Sequence, residues 1–115
     1  MRTVTLDVQS LDDGLAAFRG AWNSGQAEDG ARISFASAEL LWKVLTAKRW
    51  EILKAMTAQG PLSMREVARR VGRDVKAVHA DLHALVAAGV VRRTEDGRVD
   101  FPFDAIHVDF LLRAA

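Results

Sequence analysis

Two helix starts and one helix stop crowd into positions 63–74, and together they restrict the fold more than any other feature of the chain. Ser63-Met64-Arg65-Glu66 has the form of a capping box. The Ser63 hydroxyl can accept from the backbone N–H of Glu66, and the Glu66 carboxylate can reach back to the Ser63 N–H. Leu62 before the cap and Val67 after it suit a hydrophobic staple. Val67, Ala68 and Val71 then face inward, and Gly72 suits the left-handed residue that ends a helix. Asp74 can cap a second helix at once. That helix carries Val75, Val78, Leu82, Leu85 and Val86 along one side and ends at Gly89.

A short helix and a longer one, joined by Gly72-Arg73-Asp74, form the helix-turn-helix arrangement. Upstream, 37–59 reads as helical, with Ser37 as its cap. Leu40, Leu41, Val44 and Leu45 begin a stripe that Trp50, Leu53 and Met56 continue up to Gly60-Pro61. Thr46 stays open as a break, a second cap or a mid-helix residue. The part over 47–59 supplies the third helix of a trihelical core. Downstream, Val90-Val91-Arg92-Arg93-Thr94 meets Arg98-Val99-Asp100-Phe101 across Glu95-Asp96-Gly97. Asp-Gly signals a two-residue hairpin turn with positive φ at both positions. A hairpin in this place is a wing, and Pro102 ends its second strand.

The ends of the chain read as strands. Residues 3–8 alternate, with Val4, Leu6 and Val8 on one face. Ser10 caps a helix whose stripe is Leu11, Leu15, Phe18 and Trp22, and 25–31 is an exposed loop. Ile33-Ser34-Phe35 is a second strand, and Ile106, Val108, Phe110 and Leu112 alternate in a last one. Strands 3–8, 33–35 and 106–112 then make a small sheet backed by the first helix. Its free edges can pair between copies, which points to a homodimer. The fold class expected is α+β: a winged helix-turn-helix over 37–103, an N-terminal strand-helix-strand arm over 1–36 and a C-terminal strand over 104–115. Trp22, Trp42 and Trp50 sit at helix or strand spacing and read as core.

Charge is uneven along the chain. Residues 1–42 carry three basic and six acidic side chains, 43–99 carry twelve and six, and 100–115 carry one and three. A basic middle between acidic ends suggests that the middle faces an anion. On the second helix, residues 74–88, the side opposite the apolar stripe offers Lys76, Ala77, Ala80, His83, Ala84 and Ala87, with His79 on the flank. Such a face fits the major groove of duplex DNA, where small residues allow close approach. Lys76 and His83 are the leading base-edge candidates, with His79 third, and an alanine methyl at Ala77 or Ala80 can meet a thymine methyl. Ser63, Arg65 and Arg73 are placed for phosphate contact at helix starts, Arg73 also for bases, and Arg93 and Arg98 from the wing of 90–101. Glu95 and Asp96 make the wing tip acidic, so a structural wing would instead pair Glu95 with Arg98.

Other chemistries find little support. The chain has no cysteine, which removes disulfides, thiolate metal sites and cysteine nucleophiles. His79 and His83 stand four apart, but the sequence places no third ligand beside them, and no metal or cofactor is expected. The glycines form no phosphate-binding loop, no nucleophile elbow occurs, and the chain does not read as an enzyme. The absence of a long apolar run points away from a membrane and toward the cytoplasm.

Three stretches carry a family resemblance: Ala47-Lys48-Arg49-Trp50-Glu51-Ile52-Leu53, Pro61-Leu62-Ser63-Met64-Arg65-Glu66-Val67-Ala68, and 75–85, closed by Gly89-Val90-Val91-Arg92-Arg93. They resemble the winged-helix domains of ArsR/MarR-like bacterial and archaeal regulators. With the leading strand and Ile106-His107-Val108-Asp109 included, the chain also resembles small DNA-binding proteins regarded as antitoxins of toxin–antitoxin pairs. The resemblance implies a sequence-specific transcriptional regulator, a dimeric repressor or antitoxin-type autoregulator, with double-stranded DNA and a toxin protein as partners. The alternative is a protein-interaction module whose acidic arms bind a toxin, with little DNA binding of its own. The cysteine ligands of metal-sensing regulators are missing.

Overall fold

A computed structural model describes residues 2–9 and 31–110. The helix expected over 11–22 and the strand positions beyond Phe110, Leu112 included, lie outside the described residues. The described chain is a mixed α/β domain. Its elements are β1 (Thr3–Val8), β2 (Ala31–Phe35), α1 (Ala38–Val44), α2 (Ala47–Met56), α3 (Met64–Val71), α4 (Val75–Ala87), β3 (Arg92–Arg93), β4 (Val99–Asp100) and β5 (Ala105–Asp109).

Helix starts follow the local caps. The Ser37 hydroxyl accepts from Leu40 N at 3.1 Å. Thr46 is a second cap: its backbone is extended, its hydroxyl accepts from Arg49 N at 3.3 Å, and Leu45 has already left helical geometry. The expected 37–59 helix is therefore two helices. Ser63 Oγ accepts from Glu66 N at 3.0 Å, and Leu62 and Val67 are both buried. The capping box forms only by half, because two arginines one turn further on hold the Glu66 carboxylate: Arg69 and Arg70 both donate to it. Gly72 ends α3 at φ 68°, and the Asp74 carboxylate accepts from Lys76 N at 3.1 Å and Ala77 N at 3.3 Å to start α4.

β1 lies in the centre of a three-stranded sheet of order β2-β1-β5, parallel to both neighbours. Leu6 pairs with Ile33 on one side and Val108 on the other. Val4 and Leu6 are fully buried and join Phe35, Leu41, Ile52, Leu53, Val67, Val78, Leu82, Leu85, Val99 and Phe101 in one core. The hairpin β3–β4 is fastened to the helices by Leu62, whose N–H and carbonyl exchange 2.8 Å hydrogen bonds with Val99.

Several expectations fail locally. The hairpin loop has three residues, not two: Thr94 N donates to Arg98 O, Gly97 N donates to Thr94 O, and of the two Asp-Gly positions only Gly97 has positive φ, at 85°. That is a type I turn closed by a left-handed glycine. Arg98 consequently reaches Asp96 at 2.8 Å, in place of Glu95. Trp42, expected in the core, is 52% exposed and meets Phe110 edge-on at 5.4 Å between ring centroids. Val75, expected on the buried stripe, is 45% exposed at the first helical position.

Candidate nucleic-acid interface

On α4 the burial repeats with helical period. Val78, Leu82 and Leu85 are buried, Asp81, Ala84 and Val86 are intermediate, and Lys76, Ala77, His79, Ala80, His83 and Ala87 are exposed. The outward face is thus one lysine, two histidines and small alanines. The two imidazoles meet, Nε2 to Nε2, at 3.3 Å.

The basic side chains divide by whether a carboxylate has claimed them. Arg73, expected at the interface, is mostly buried and bonded to Asp81 at 2.9 Å. Asp81 also accepts from Arg49 Nε at 3.1 Å, and Arg49 Nη1 reaches Val44 O at 2.9 Å. Burial opposes charge on Asp81, but the two guanidinium groups outweigh it and hold its carboxyl below the usual carboxylate range. The group ties α2, the α3–α4 turn and α4 together, so Arg73 and Asp81 position α4, with Arg73 Nη1 buried and without a hydrogen-bond partner among the described residues. Arg69 and Arg70 hold Glu66, whose carboxyl their hydrogen bonds lower to about 2. Arg92 pairs with the buried Asp100 at 2.7 Å. Arg98 is held by Asp96, whose carboxyl is lowered first by the Thr94 hydroxyl and then by Arg98.

Arg65 on α3, Lys76 on α4 and Arg93 on β3 are exposed and have no carboxylate partner among the described residues. Ser63 is exposed, with its hydroxyl engaged as the α3 cap. The expected residues Ser63, Arg65, Lys76, Ala77, His79, Ala80, His83, Arg93 and Arg98 are therefore all at the surface, whereas Arg73 is internal. Sequence reasoning missed Arg49; the signal available was a lone arginine beside the Thr46 cap, with nothing to name its partner.

A family model described as HVO_A0114 matches residues 44–108, more than half of the chain. The chain belongs to the HVO_A0114 family. The region shared with the HVO_A0114 model runs from the end of α1 through α2, α3, α4 and the hairpin into β5, so it includes the whole candidate interface. No curated protein matches the HVO_A0114-family chain. Among its described residues no helix is long and apolar enough to cross a membrane, and no group of three or more His, Asp or Glu could hold a metal.

Proposed function

We propose that this chain is a winged helix-turn-helix protein that binds duplex DNA sequence-specifically and regulates transcription, as a dimeric repressor or antitoxin-type autoregulator. In this reading α3 and α4 are the helix-turn-helix and β3–β4 is the wing. One observation carries the reading: the exposed side of α4 presents Lys76 and His83 among alanines, while cations without carboxylate partners among the described residues stand on α3, α4 and β3. Small residues let a helix lie deep in the major groove, and unclaimed cations can meet phosphates without first breaking an ion pair. The pairing of Arg98 with Asp96 at the hairpin tip supports phosphate contact through Arg93 in preference to the tip.

The dimer is supported by the position of β2 and β5 at the two edges of the sheet among the described residues and by exposed Leu40 and Trp42. The same apolar residues favour the second reading, a protein-interaction surface, and leave α4 free for DNA. The test is binding to duplex from the protein's own upstream region against a scrambled duplex, at several salt concentrations. Lys76→Ala and His83→Ala are expected to weaken the specific duplex by about tenfold more than the scrambled one, as loss of a base contact does. Equal loss on both duplexes reassigns the two residues to phosphate contact. No binding to either at low salt, with a co-purifying protein partner, replaces this reading by the second one.

A further inference from the structure

The two histidines of α4 do more than share a face. Residues four apart on a helix are surface neighbours, but imidazoles in that relation are free to point apart. Here their Nε2 atoms converge to 3.3 Å, with ring centroids 4.4 Å apart and planes inclined by 58°. Zinc binds imidazole nitrogen at about 2.0–2.1 Å, so two nitrogens on one tetrahedral ion lie about 3.3–3.4 Å apart. The observed spacing is compatible with two nitrogens on one tetrahedral ion.

We propose that His79 and His83 form a two-imidazole site for a divalent transition metal, zinc above all, on the outer face of α4. Without the ion, one ring donates its Nε2–H to the other ring's Nε2. The metal takes the place of that Nε2 proton, the donor ring takes up a proton on Nδ1 in exchange, and both neutral rings then carry their one N–H on Nδ1 with no net proton released. A helical histidine pair at this spacing is an established zinc-holding geometry elsewhere. Imidazole selects zinc, cobalt, nickel and copper over magnesium and calcium. The sequence discourages a metal because no third donor stands near, and no third His, Asp or Glu completes a group among the described residues. A tetrahedral ion nonetheless needs only two protein ligands here: its other two positions take water, or the same two imidazoles of a second copy. Both rings are exposed, so neither arrangement requires the fold to open.

The experiment titrates the full chain with zinc chloride at pH 7.5 against a chromophoric chelator, and repeats the titration with cobalt(II), followed by its visible absorption. Wild type is expected to bind zinc and to give the intense bands of tetrahedral cobalt. His79→Ala and His83→Ala should each lower zinc affinity by about a hundredfold, because losing one ligand ends chelation. The double variant should fall little further. His107→Ala, on β5, should bind as wild type does. Saturation at one ion per chain indicates water in the open positions, and one ion per two chains indicates the four-imidazole form; each supports the site. Wild-type affinity in either single variant overturns it, as does a cobalt spectrum that is octahedral and unchanged by both substitutions. Circular dichroism of the variants, whose altered side chains are on the surface, separates loss of ligand from loss of fold.

Discussion

Replacing Asp81 by asparagine tests what sets the angle of α4. The carboxylate accepts a charge-assisted hydrogen bond from Arg49 at 3.1 Å and forms an ion pair with Arg73 at 2.9 Å, and the three side chains are only 21%, 18% and 17% exposed for Arg49, Arg73 and Asp81. Hydrogen bonds to charged groups contribute about 1.5–3 kcal/mol each. Removing one partner of a fully buried ion pair costs about 3–5 kcal/mol, because the remaining charge is left without compensation. Partial access of water lowers that figure, and the asparagine oxygen keeps one weaker acceptor, so a loss of about 2–3 kcal/mol is expected. In a domain of this size that corresponds to a fall in Tm of roughly 8–12 °C. The assay is thermal unfolding followed by far-UV circular dichroism at pH 7, with Asp96→Asn as the charge-matched control. Asp96 is exposed at the hairpin tip, and its variant should melt close to wild type. Linkage gives a second readout. Because the folded carboxyl of Asp81 lies below its unfolded value, its contribution is complete above the unfolded pKa and disappears as pH falls through the folded one. Asp81→Asn should therefore destabilise strongly at pH 7 and much less in acid. A Tm within 2 °C of wild type, or an equal loss at both pH values, refutes the argument that this carboxylate clamps the helices (the 2 °C bound is roughly 0.5 kcal/mol).

Three further outcomes are expected. Ala58 follows α2 at φ 60°, the left-handed region, so Ala58→Gly should raise stability by about 1 kcal/mol in urea unfolding, and a loss would show that the alanine is not strained. Glu66, lowered to about 2 by Arg69 and Arg70, contributes stability that is present above the usual glutamate range and lost as pH drops from there toward 2; Glu66→Gln should flatten the stability profile in that acid window and leave its shape unchanged above pH 6. Arg93→Ala should weaken binding to all duplexes alike and reduce the salt slope by about one, whereas Arg98→Ala, already held by Asp96, should change the slope less; the reverse order would move the phosphate contact to the hairpin tip.

Capping was legible in the sequence because it is local. Ser63, Gly72 and Asp74 each act within three residues, and each does so in the fold. Alternation likewise located the strands at both ends of the described chain. Neither signal carries information about partners. The parallel placement of β1 between β2 and β5 depends on residues far away in sequence, as does the bond from Arg49 to Asp81, 32 positions apart. Arg73 looked like an interface residue because it stands beside a helix start, and only the packing of α4 reveals that Asp81 holds it. The hairpin shows how one local error spreads. A two-residue turn puts Glu95 opposite Arg98; the three-residue loop shifts the register by one, so that Arg92 faces Asp100 and Arg93 faces Val99. That shift decides which arginine is neutralised and which stays available to an anion.

The position of β1 also fixes an order of events during synthesis. Arg2 and Asp104 clasp each other, the Arg2 N–H donating to the Asp104 carboxylate at 2.8 Å and the Asp104 N–H donating to Arg2 O at 2.7 Å, across a separation of 102 residues. As the chain leaves the ribosome, α2, α3 and α4 meet neighbours close at hand and can settle early, while one side of β1 has to wait until β5 emerges. Until then β1 lacks its hydrogen-bond partners on that side, so the β1–β5 seam can close only after α1, α2, α3 and α4 have all been synthesised.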